Sequence, residues 1–129
     1  MTIGVEVLGR DMRLYLLVRR DLKMPAGKLA AMAGHAFVDC AVKYASGSEV
    51  HQSVFNGYQR DGQTKIVLGV ADLNQLLRLR DAAAANFICT STVLDEGRTV
   101  FPAHTIPVCA VGLCRREDLP LEFETLGLY

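Results

Sequence analysis

A chain of 129 residues, half of them hydrophobic and with no long low-complexity tract, fits one compact domain spanning 1–129 and leaves no room for a second. Its formal net charge of zero excludes nonspecific nucleic-acid binding driven by the whole surface. The longest apolar run, Leu14 to Val18, is far too short to cross a bilayer, and the first residues lack a basic start followed by an uninterrupted hydrophobic segment. A soluble cytoplasmic protein with no membrane partner is expected.

Four cysteines (Cys40, Cys89, Cys109, Cys114) lie in apolar stretches without CxxC spacing, and three histidines stand far apart without an HExxH pattern. Buried free thiols are expected, with no metal site and no disulfide framework.

In chain order, residues 1–10 alternate Ile3, Val5 and Val7, which reads either as an extra edge strand or as a loose extension. Leu14 to Val18 is continuously apolar, as in a central strand covered on both faces. Asp21 and Pro25 mark a turn and helix start. Leu29, Met32, Ala33, Ala36, Phe37, Cys40, Ala41 and Tyr44 then recur at three- and four-residue spacing, predicting an amphipathic helix that Gly47 ends. Val50, Val54 and Tyr58 suggest a second short helix before the turn at Asp61 and Gly62. Ile66 to Val70 reads as a buried strand, and Asp72 with Gln75 resembles a capping box for a helix over 73–85. Ile88 to Val93 and Ile106 to Leu113 are the last strands, joined by a link too short for a crossover helix and therefore antiparallel. The pattern predicts a three-layer α/β/α sandwich around a mixed, mainly four-stranded sheet, with the tail after Arg115 undecided.

Two blocks hold the residues suited to chemistry. The segment from Lys23 to Lys28 enters a helix, whose open N–H groups and positive dipole end attract anions, and Gly27 lets a phosphate approach the backbone. The plainer reading is an ordinary helix start. Lys28 and His35, seven residues apart, lie about 20° from one another on a helix, with Asp39 one turn on as an acceptor for the imidazole; a boundary histidine that only packs is the alternative. Asp95 and Gly97 form a turn, which does not require Arg98 or Thr99, so the guanidinium and hydroxyl are candidates for holding a phosphate or orienting water. Around the first block, Arg10, Arg13, Arg19, Arg20, Lys23 and Lys28 stand against Asp11 and Asp21, a local basic excess of four, although charge alone favours a plain solvated face.

Taken together, LYLLVRRDLKM, GKLAA followed by Gly34-His35-Ala36, GQTKIVL from Gly62 to Leu68 and DEGRT from Asp95 to Thr99 resemble the second, archaeal and eukaryotic type of peptidyl-tRNA hydrolase over roughly 13–112. Family members commonly read D-L-K-M-G-K-G-K, S-H-A, G-Q-x-K-I-V-L and D-A-G-x-T-Q in that order. The resemblance implies a mixed four-stranded sheet between helical layers, a homodimer, and hydrolysis of the ester between a peptide and the terminal ribose of tRNA with neither metal nor organic cofactor. It implies catalytic roles for Lys28, His35, Asp95 and Thr99. Arg19, Arg20, Lys23, Gly27 and Arg98 would bind substrate, contacting the CCA end and acceptor stem. On this view Asp95 positions or deprotonates water, His35 assists proton transfer, Lys28 stabilises the oxyanion or holds a phosphate, and Thr99 orients water.

Departures from the pattern have physical consequences. Pro25 and Ala26 replace a glycine and a lysine, stiffening the loop and removing a cation. Glu96 adds an acid beside Asp95, Val100 removes an amide, and Pro102-Ala103-His104-Thr105 stands where Pro-Gly-Thr is usual. Glu96 and the zero net charge favour one alternative, a noncatalytic relative binding a small anionic ligand or a protein partner; a second alternative, needing no long basic surface, is a hydrolase of a smaller ester or amide.

Overall fold

The computed structural model describes residues 10–97 and 101–129, so the expectation for the first residues lies almost wholly outside the described residues. Strand β1 (Arg13–Arg19) is followed by helices α1 (Ala26–Ala45) and α2 (Glu49–Arg60), strand β2 (Lys65–Val70), helix α3 (Leu73–Ala85), and strands β3 (Thr90–Thr92) and β4 (Val108–Cys114). The sheet order is β2-β1-β4-β3. β1 runs parallel to β2 and antiparallel to β4, and β3 is antiparallel to β4, giving the mixed sheet expected.

The continuous apolar run of β1 is explained by its place inside the sheet, with helices on both faces. Leu14, Leu16 and Val18 meet Met32, Ala36, Cys40 and Tyr44 of α1 and Val54 and Tyr58 of α2. Tyr15 and Leu17 point the other way, into Leu76, Leu79 and Ala83 of α3. The helical layers on either side thus follow from the two-residue period of a single strand.

Helix boundaries have local causes. Ser48 accepts the His51 N–H at 3.2 Å at the start of α2, and Asp72 accepts the Gln75 N–H at 2.9 Å at the start of α3. The Gln75 side chain reaches back to the Ala71 N–H at 2.6 Å, one residue before the position a capping box predicts. Helix α1 begins differently. Its N-cap is Pro25, no side chain caps it, and its first turn holds no acid.

The last two strands differ from expectation in extent. β3 begins later because the Ile88 N–H donates to the Ala83 carbonyl at 3.0 Å and Phe87 takes φ 60°, so both residues are spent closing α3. β4 begins after Pro107, which has no N–H to offer a ladder. The tail forms two 3₁₀ turns, Arg116–Asp118 and Leu121–Thr125, and buries Phe123 against the α3 side of the sheet. It then pairs with the outer edge of β2. The Gly69 N–H donates to the Gly127 carbonyl at 3.0 Å, and the Tyr129 N–H to the Val67 carbonyl at 2.9 Å.

All four cysteines are free, and three of them are buried. Burial pushes the Cys40 thiol up to about 11 and the Cys114 thiol up to about 12, and it raises Cys109 as well. A maleimide at neutral pH is therefore expected to label Cys89, which is only half-buried, well ahead of the other three. Peptide mapping by mass spectrometry reads this directly, and equal labelling of Cys40 would contradict the packing.

Candidate active site

The N-terminal half of α1 and the chain leaving β3 form the two walls of a cleft of about 910 Å³. From α1 come Gly27, Lys28, Ala31, Met32, His35 and Asp39, which recur at three- and four-residue steps and so share one face of the helix. From the opposite wall come Val93, Leu94, Asp95 and Glu96.

An ion pair joins the two walls. Lys28 Nζ lies 2.8 Å from Asp95 Oδ2, and the two side chains are only 9% and 5% exposed. The remaining carboxylate oxygen of Asp95 accepts the Gly97 N–H at 3.0 Å. The backbone fixes Asp95 too, because its N–H donates to the Thr105 carbonyl and its carbonyl accepts the His104 N–H, both at 2.7 Å. Lys28 Nζ also stands 5.7 Å from the centre of the Phe101 ring. A lysine and an aspartate far apart in sequence are thus held by bonds on every side.

The hydrogen bond from Lys28 comes first, and that from Gly97 second, in holding the Asp95 carboxyl below its ordinary value of 3.8. A carboxyl depressed in the folded state stabilises the fold above its unfolded value and loses that contribution as pH falls through the folded value. The melting-temperature gap between wild type and Asp95→Asn is therefore expected to stay constant from about pH 7 to about pH 5 and to close below the ordinary 3.8. Narrowing already between pH 7 and 5 would contradict the assignment.

Lys28, His35, Asp95 and Gly27 are brought together as expected. Arg98 and Thr99 lie outside the described residues. His35 and Asp39 both line the cleft, yet among the described residues no hydrogen bond joins them. The remaining basic candidates do not line it. Arg19 is held by Asp21 at 2.7 Å and by the Ile106 carbonyl at 3.2 Å. Arg20 turns toward β2 and the tail, donating to the Leu128 carbonyl at 2.8 Å and lying over the Tyr129 ring, so close to Gly69 that a Cβ there would collide with its guanidinium. Lys23 is exposed in a turn with φ 48°, its N–H bonded to the Arg20 carbonyl. Both arginines serve the fold, each through a partner that sequence spacing does not single out.

Sequence reasoning missed the apolar part of the cleft, Ala31, Met32, Val93 and Leu94, together with Phe101 beside Lys28. Helical spacing places Ala31 and Met32 one turn beyond Lys28, a signal that was present. Nothing in the sequence marks Leu94 as half-exposed. Among the described residues no group of three or more His, Cys, Asp or Glu could hold a metal ion, and no helix is long and apolar enough to cross a membrane.

Comparison with known proteins bears on the fold and the family. A protein of unknown function from Agrobacterium tumefaciens has a similar solved structure, with a TM-score of 0.61 at 14% identity, covering 92% of this chain and 98% of that one; it shares the fold. A Pyrobaculum aerophilum protein named peptidyl-tRNA hydrolase is 35% identical over 119 residues, 92% of this chain and 98% of its own length. One of the same name from Thermoplasma acidophilum is 34% identical over 107 residues, 83% of this chain and 89% of its own length. The family model described as peptidyl-tRNA hydrolase PTH2 matches residues 12–129. With helices on both faces of a mixed sheet and a match over nearly its whole length, the chain belongs to the PTH2 family of peptidyl-tRNA hydrolases.

Proposed function

We propose that this chain, acting as one domain, hydrolyses the ester joining a peptide to the terminal ribose of tRNA, and that the Lys28–Asp95 pair is the centre of its site. The observation that carries the reading is that pair, buried where the two walls of the cleft meet, in a chain of this family. Water adds to the ester carbonyl carbon, negative charge gathers on the carbonyl oxygen, and the ribose oxygen leaves as a hydroxyl after taking a proton. The products are a peptide carboxylate and a free tRNA.

The Lys28 ammonium suits the developing oxyanion, since a preorganised cation in a site screened from water acts more strongly than one in solvent. Asp95 fixes that ammonium and orients water. Its lowered pKa makes it a weak proton acceptor, so removal of the water's proton falls to His35, the imidazole on the same wall. Thr99 orients water or substrate by hydrogen bonding. The uncapped start of α1 at Gly27, where an added Cβ would meet nothing within 4 Å, and the exposed Lys23, together with Arg98, take phosphates of the CCA end and acceptor stem. Arg19 and Arg20 hold the turn that presents Lys23. The resemblance supports an RNA-binding homodimer working in the cytoplasm, and gel filtration against globular standards checks the dimer.

The test is release of N-acetylated amino acid from charged tRNA at two ionic strengths. With two to three phosphates neutralised, kcat/KM is expected to fall roughly tenfold between 50 and 200 mM salt. Activity indifferent to salt would favour a small neutral ester as substrate, and no activity at micromolar enzyme would favour a noncatalytic ligand-binding role.

A further inference from the structure

Beside the ion pair, the cleft carries an apolar shelf to which the hydrolytic reading gives no task. Val93 and Met32 form its floor, each 7% exposed, and Leu94 stands at its rim with 51% of its surface open, facing the wall that carries Ala31. The shelf is continuous with the reacting groups. Leu94 is the chain neighbour of Asp95, and Ala31 and Met32 lie three and four residues after Lys28, one helical turn along the same face. Ligand clefts are lined mainly by apolar side chains beside a few placed polar groups, and this cleft has that composition.

We propose that this shelf receives the side chain of the amino acid esterified to tRNA, and that Leu94 and Ala31 make the protein prefer large apolar residues there. The proposal rests on the ester hydrolysis argued above. With the carbonyl carbon at the Lys28–Asp95 pair, the α-carbon is one bond away and its side chain two, and the shelf residues are the immediate neighbours of that pair, Leu94 along the chain and Ala31 and Met32 along the helix. The N–H donor for the ester oxygens is Lys28, whereas the side chains of Ala31, Met32, Val93 and Leu94 offer only hydrocarbon and thioether surface. An apolar group is therefore the part of the substrate that gains most by occupying the shelf. The terminal adenine is the competing occupant, and it is common to every substrate.

One tRNA body, charged chemically with glycine, alanine, leucine or phenylalanine and then N-acetylated, separates the two. For wild type, kcat/KM is expected to rise at least about tenfold from glycine to leucine or phenylalanine. In Leu94→Asn the ratio should collapse to within about threefold, the loss being largest for phenylalanine. Ala31→Leu, a substitution on an exposed helical position, fills the shelf from the other wall and should penalise phenylalanine more than glycine. Equal rates on all four substrates in wild type would overturn the proposal, and so would an even loss across them in both variants, which would assign the shelf to the adenine. Either result leaves ester hydrolysis standing, whereas no turnover of any substrate by wild type defeats the underlying reading itself.

Discussion

Lys28→Ala and Asp95→Ala are each expected to lower kcat on N-acetylaminoacyl-tRNA by about two to three orders of magnitude, the loss typical when one preorganised charge or donor is taken from a reacting oxyanion. The double variant should be little worse than the poorer single one. The two side chains are bonded to each other at 2.8 Å and act as one unit, so their losses do not add. KM should change less than kcat if the pair acts mainly on the transition state. Single-turnover rates on variants whose folding has been verified by circular dichroism provide the check. An Asp95→Ala protein with full activity would reduce Asp95 to a turn residue, and additive losses would separate the roles of the two groups.

Gly97→Ala is the second large expected effect, although Gly97 presents no side chain to substrate. Its φ is 79°, a region that costs an L-residue roughly 1–2 kcal/mol. A Cβ there would stand 2.6 Å from the Ala103 nitrogen and 2.8 Å from its Cα, so backbone on the far side of the loop must move. The loop that moves is the one holding Asp95, through the Gly97 N–H on the carboxylate and the His104 and Thr105 bonds on its backbone. Displacement of a reacting group by about 1 Å costs on the order of a hundredfold in rate. A loss of that size is expected with a melting temperature lowered by only a few degrees, and an unchanged kcat would show that the loop yields without disturbing the pair.

Much of the architecture was legible because single strands carry strong signals. The unbroken run Leu14 to Val18 identified a strand covered on both faces, and Asp72 with Gln75 located a helix start to the residue. The short link between the last strands predicted antiparallel pairing correctly. Strand ends were less legible, since the start of β3 depends on where the Ile88 N–H finds its acceptor, and that competition has no periodicity. The site divides in the same way. Helical spacing aligned Lys28 with His35, but only the fold joins Lys28 to Asp95. The family resemblance implied Arg19 and Arg20 as substrate contacts, whereas both side chains are engaged by partners in the turn and tail. A guanidinium in a sequence carries no mark of whether its hydrogen bonds are already satisfied.

The strand order also governs when this protein can fold. β1 is made before both of its neighbours in the sheet, β2 and β4, and its Arg13 is paired with Cys114. Until that last strand has been made, one edge of the most apolar segment of the chain stays open, and β2 still lacks the closing pairs from Gly127 and Tyr129. Contacts this distant in sequence impose a slow loop closure, and an unpaired apolar strand is prone to wrong association while it waits. Assembly of the sheet consequently waits for β4, and nascent chains stalled before β4 are expected to be protease-sensitive along β1.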